Sequence, residues 1–136
     1  MPQNNPITIK DGAATPTDHV FNPVLTREGV ARFENQASSA TLEGRESLQF
    51  GLKRPAPGGR TTVENSLVLE LPKVVAGSGT GGTVANVKLY TNKGIVTLVE
   101  DPRSSAQERK DLRVMLANAL LNSTTAQAFD NAESFW

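Results

Sequence analysis

Between Thr62 and Val99 lie two long strand-like runs separated by a glycine-rich stretch. Nothing else in the 136-residue chain limits the fold as much. In the first run Leu67, Leu69 and Leu71 alternate with Ser66, Val68 and Glu70, the period-2 pattern of a sheet with one buried and one wet face. Pro72 and Lys73 then lead into Ala76, Gly77, Ser78, Gly79, Thr80, Gly81 and Gly82, where the glycines carry too large an ordering cost for a regular element. The chain recovers at Thr83 and runs through Val87, Leu89 and Tyr90 to Ile95, Val96, Leu98 and Val99. The expectation is an antiparallel pair joined by a long loop, and loops of that length usually have a task.

Shorter strands precede this pair. Ile7-Thr8-Ile9-Lys10 stops at the turn dipeptide Asp11-Gly12, and Asp18 to Phe21 can return beside it as an N-terminal hairpin ended by Asn22-Pro23. After a turn at Thr26 to Gly29, Val30 to Glu34 alternates, with Ala31 and Phe33 on one side and Val30, Arg32 and Glu34 on the other. Asn35 to Gly44 reads as a polar linker. Glu46 to Lys53 then sends Leu48, Phe50 and Leu52 inward and Ser47, Gln49, Gly51 and Lys53 outward. Arg54 to Arg60, rich in proline and glycine, is a loop.

After Val99 the period changes. Asp101-Pro102 breaks the strand, and Ser105 with Glu108 forms a capping box. Leu112, Met115, Leu116, Ala119 and Leu120 follow at helical spacing until Asn122-Ser123. Thr124 with Gln127 offers a second capping box, opening a short helix with Ala126, Phe129 and Ala132, and the chain finishes on Phe135-Trp136. Strands first and helices last, without βα alternation, imply an α+β fold in a single domain of residues 1–136. Its parts are a hairpin over 1–25, an antiparallel sheet over 29–99 with a loop at 74–83, and helices over 104–136. Val114, Leu116, Leu120 and Leu121 give the long helix more apolar circumference than one sheet face can use. The surplus implies a partner chain and an obligate dimer.

Composition excludes more than it suggests. Lys plus Arg and Asp plus Glu both number 14, so nucleic acid can be held only by a local basic face. Without cysteine there is no thiolate catalysis, disulfide or cysteine metal site. His19, the one histidine, reads as an ordinary hairpin residue. The glycine loop lacks the Gly-Lys-Ser/Thr ending of a phosphate cradle and is followed by a strand rather than a helix. No nucleophile, base, metal or cofactor set emerges, and the chain reads as a non-enzyme. The first residues show no basic stretch leading into an apolar one, so the expectation is a soluble protein made inside the cell. The outward sheet face, with Gln49, Gly51, Lys53, Ser66, Val68, Tyr90 and Asn92, suits single-stranded RNA: a base stacks on the tyrosine and base edges meet polar groups. An ordinary wet sheet face has the same pattern.

Several features fall in an order that resembles the coat proteins of the single-stranded RNA bacteriophages, the leviviruses. They are Glu70-Leu71-Pro72-Lys73, the loop with Gly81-Gly82, Tyr90-Thr91-Asn92, the helix start Ser105, Glu108 and Arg109, the leucine-rich Leu116 to Leu121, and the aromatic terminus. Upstream, Asn22, Gly29-Val30-Ala31 and Phe33 also fit. The resemblance implies an N-terminal hairpin, a five-stranded antiparallel sheet and two C-terminal helices. Two chains would interlock through Leu112, Met115, Leu116, Ala119 and Leu120 and share one ten-stranded sheet. Dimers would build an icosahedral virion around the RNA genome, made in the cytoplasm of a bacterial host, with the Ala76–Gly82 loop meeting its copies at the symmetry axes. The sheet face would bind an RNA hairpin and repress translation of the replicase. Tyr90 matches the stacking tyrosine, Asn92 the polar residue beyond it, Ser66 an adenine-pocket hydroxyl and Lys53 a basic contact. Val68 and Glu64 stand where relatives are basic, which implies weaker binding and a shallower salt slope. The rival reading is a small dimeric β-sheet binding module for a carbohydrate or peptide, which would expect more aromatic residues on the open face.

Overall fold

The computed structural model describes residues 5–77 and 86–132. Six strands lie side by side in chain order: β1 (Ile7–Lys10), β2 (Asp18–Arg27), β3 (Val30–Asn35), β4 (Glu46–Lys53), β5 (Val63–Ala76) and β6 (Asn86–Glu100). Two helices follow, α1 (Ala106–Leu121) and α2 (Ser123–Asn131). This is the α+β arrangement expected of strands followed by helices. The chain separates into two compact units, one holding most of the sheet and the other the helices with residues 55–63.

One face of the sheet carries the core. Antiparallel register sets Ile7 opposite Phe21, and Phe33 opposite Leu48, which in turn faces Leu69. Phe21 and Leu48 are only 1% and 2% exposed, and Ile7, Ile9, Ala31, Leu67 and Leu69 pack around them. Phe33 meets Phe50 edge to face with ring centroids 5.8 Å apart. Burying each large side chain contributes about 1.5–3 kcal/mol, so this small cluster anchors the hairpin and the central strands together. The β2–β3 turn depends on Gly29, whose φ of 73° avoids the Cβ penalty of the left-handed region. Its carbonyl also accepts from the Leu52 amide at 2.7 Å.

The structure corrects several boundaries. Asn22-Pro23 does not end the hairpin: β2 runs on to Arg27, pairing with β1 through Phe21 and with β3 from Asn22 onward. A register shift between Pro23 and Leu25 accommodates the proline, as bulges do. The hairpin and sheet therefore share a strand, giving six strands in one sheet rather than a hairpin beside five. Nor does the loop begin at residue 74, because β5 continues to Ala76. Pro72 is tolerated there because the β4–β5 pairing ends at Ser47–Glu70, so its missing N–H costs no bond to β4. The linker after Asn35 contains a single 3₁₀ turn, Leu42–Gly44.

Both helix starts are locally encoded. At α1 the Ser105 hydroxyl accepts from the Glu108 amide at 3.2 Å while the Glu108 carboxylate accepts from the Ser105 amide at 2.6 Å, the reciprocal capping box. The second box does not form: Asn122, not Thr124, caps α2, accepting from the Thr124 amide at 3.0 Å. Ala132 closes α2 in the left-handed region, so it caps the helix instead of extending it. Phe135-Trp136 lies outside the described residues.

Candidate nucleic-acid interface

The sheet face opposite the core is built of cross-strand rungs. Register places Val30, Gly51 and Ser66 in one rung, Arg32, Gln49 and Val68 in the next, and Glu34, Ser47 and Glu70 in a third. Lys53 and Glu64 form a fourth on the other side. Five of the seven residues expected from alternation, Gln49, Gly51, Lys53, Ser66 and Val68, thus share one surface. Gly51 leaves room in its rung for the Ser66 hydroxyl, which a Cβ there would approach to 2.5 Å. That hydroxyl instead lies 3.5 Å from the Gly51 carbonyl. The outcome is a low strip of hydroxyl, amide and small apolar groups, with Arg32 at its β3 side, between two rungs that carry carboxylates.

The charged rungs are nearly self-neutralising. Arg32 and Arg45 approach Glu34 at 3.3 and 3.7 Å, Lys53 approaches Glu64 at 4.0 Å, and Lys93 meets Glu70 at 2.9 Å. Ser47 also donates to Glu70 at 3.3 Å. The hydrogen bond from Lys93 holds the Glu70 carboxyl below its ordinary value, against the opposing effect of burial, with Ser47 and the Arg32 charge adding to it. A phosphate arriving here must compete with carboxylates already in place.

Tyr90 and Asn92 are exposed on β6, which lies next to β5. Lys93, one residue on, lies 2.9 Å from the Glu70 carboxylate. Sequence reasoning passed over Lys93, although the Tyr90-Thr91-Asn92 motif ends beside it. It also left Arg32 and Glu34 out of the site, although the alternation of β3 had already set them on the right side.

The helix residues expected at a dimer contact all lie on α1, no residue of which is buried. Met115 and Leu121 are 71% and 82% exposed. Of the expected assembly loop, Ala76 ends β5 and Gly77 follows it, while Ser78, Gly79, Thr80, Gly81 and Gly82 lie outside the described residues. Among the described residues no group of three metal-ligating side chains comes together.

The family model described as levivirus coat protein matches residues 2–136. The capsid protein of Pseudomonas phage PRR1 is 31% identical over 114 residues, covering 84% of this chain and 82% of that one. Among solved structures, a virus-like particle of bacteriophage ESE058 superposes with a TM-score of 0.86 at 28% identity, covering 99% of this chain and all of the other. The capsid protein of bacteriophage GA shares the fold with a TM-score of 0.75 at 16% identity, over 97% of each chain. Spanning nearly the whole sequence and the same strands-then-helices order, these likenesses establish that the chain belongs to the levivirus coat protein family, whose role is structural.

Proposed function

We propose that this coat protein pairs with a second copy through β6 and α1, assembles as dimers into an icosahedral shell, and lays the Gln49–Ser66 face of its sheet against the RNA genome. The observation that carries the reading is β6 itself. It is a 15-residue strand at the end of the strand order, with Val87, Leu89, Ile95 and Val99 all more than half exposed. A long apolar edge invites strand addition from another chain, and the exposed leucines of α1 supply a second apolar surface to close. The solved particles of ESE058 and other relatives support assembly into a shell.

This low strip supports the RNA reading. Hydroxyl and amide groups at Ser66 and Gln49 offer base-edge contacts, Tyr90 offers a stacking surface, and Lys53 offers a phosphate contact. Binding a hairpin in its own messenger by this face would repress replicase translation and start packaging. The glycine-rich loop after Ala76 would meet its copies at the symmetry axes, where its glycines allow more than one conformation. A carbohydrate- or peptide-binding module gains nothing from the structure, because the rungs from Val30 to Glu70 carry no aromatic side chain. The test is electron microscopy and gel filtration of the purified protein. Closed particles eluting near the void volume, with RNA recovered inside, are expected; a stable small species at every concentration would refute assembly.

A further inference from the structure

His19 stands between two carboxylates from different parts of the sheet unit. Its Nδ1 lies 2.8 Å from Glu46 Oε2 at the start of β4, and its Nε2 lies 3.4 Å from Asp11 Oδ2 in the turn after β1. Ionised carboxylates only accept, and a neutral imidazole has one N–H, so both contacts are hydrogen bonds only when the ring carries two protons. The remaining neighbours do not replace the missing proton. Asn35 of β3 already donates to Glu46 Oε2 at 2.9 Å, and Lys10 and Asp18, at the paired ends of β1 and β2, approach each other at 3.9 Å. Thr17 and Ser38 contribute only neutral groups to the hollow around the ring.

The two contacts are unequal. Glu46 is the nearer partner and is held by Asn35, so a neutral ring keeps its proton on Nδ1 and presents a bare Nε2 to Asp11. Asp11 otherwise bonds within its own turn, accepting from the Ala13 and Thr17 amides at 3.1 and 2.9 Å. We propose that His19 is a proton-operated latch: as an imidazolium it fastens the β1–β2 turn through Asp11 to β4 through Glu46, and on losing a proton it lets the turn go while β2 stays in the sheet.

The direction of the switch follows from the neighbours. The hydrogen bond to Glu46 raises the His19 pKa above its ordinary 6.5, against burial, and the charges of Glu46 and Asp11 add to the rise. A raised histidine contributes stability in full below its unfolded value and loses it as pH climbs through the folded one. The latch is therefore closed in acid and opens on the alkaline side.

Because the chain has one histidine, hydrogen exchange at the imidazole C2 position, read by mass spectrometry on the full-length protein, reports this site alone. Its midpoint should lie above 6.5, and the protection of turn amides, corrected for intrinsic exchange, should fall about tenfold across that midpoint. Protection of β4 and β5 should stay level. Asp11→Asn keeps the histidine and the fold while removing one charge; it should lower the midpoint and flatten the pH profile of the turn. A midpoint at or below 6.5, turn protection indifferent to pH, or an Asp11→Asn protein with wild-type profiles would each overturn the latch.

Discussion

Glu64→Gln is the sharpest probe of the sheet face. In the structure the Glu64 carboxylate lies 4.0 Å from the Lys53 ammonium, and the lysine is two-thirds exposed. At that distance, in a water-like dielectric, the pair interacts by about 1 kcal/mol. Replacing the carboxylate with an isosteric amide frees the lysine and removes a charge that repels phosphate. Affinity for RNA should rise about fivefold at low salt, the factor that about 1 kcal/mol represents. One further phosphate contact should steepen the dependence of log K on log salt by about 0.7, the increment for a single strand. Folding stability should change by less than about 1 kcal/mol, as for most exposed pairs. Filter retention of a hairpin and of an unrelated single strand, at four salt concentrations, measures all of this, and both RNAs should gain alike because the contact is to backbone. Unchanged affinity with an unchanged slope, or a loss of affinity, would refute the idea that Glu64 holds Lys53 back from RNA.

Leu116→Asp should abolish soluble protein if α1 closes the proposed dimer, since a charge placed in a buried contact costs several kcal/mol; a well-folded monomer in sedimentation would contradict the proposed dimer. Tyr90→Ala should weaken hairpin binding about tenfold, within the 1–3 kcal/mol of base stacking, and wild-type binding in calorimetry would remove the tyrosine from the site. Glu70, depressed chiefly by Lys93, contributes stability above its ordinary 4.5 that is lost as pH falls through the lower folded value. Lys93→Met should therefore shift the acid unfolding transition, followed by circular dichroism, to higher pH, and an unmoved transition would show the pair to be inert.

What the sequence made legible was local. Strands β4 and β5 and the Ser105–Glu108 box depend on residues within a few positions of each other, and each forms where it was expected. The burial along β4 does not follow its alternation, since Ser47, expected outward, is buried and Phe50 and Leu52, expected inward, are exposed. Boundaries set by a distant neighbour were not readable. Pro72 looks like a strand end until β4 is seen to stop at its side, and Thr124 looks like a cap until Asn122 takes the bond. His19 resembled any hairpin histidine because its main partner, Glu46, lies 27 positions away. Most of the candidate face was visible as alternation, but the carboxylates that occupy its cations were not, since ion pairing across strands needs the register that only the fold supplies.

The irregularity in β2 has a further consequence for comparing chains of this kind. Pro23 faces Phe33 and Leu25 faces Arg32, so Val24 is a surplus residue between two adjacent rungs. A strand without Val24 would run Pro23, Leu25, Thr26 in unbroken alternation and return each side chain to the surface it now occupies. One residue of length can therefore be gained or lost here without turning the strand inside out. An alignment of coat proteins across this point should carry its gap at Val24. Counting odd and even positions straight through it assigns one half of β2 to the wrong side.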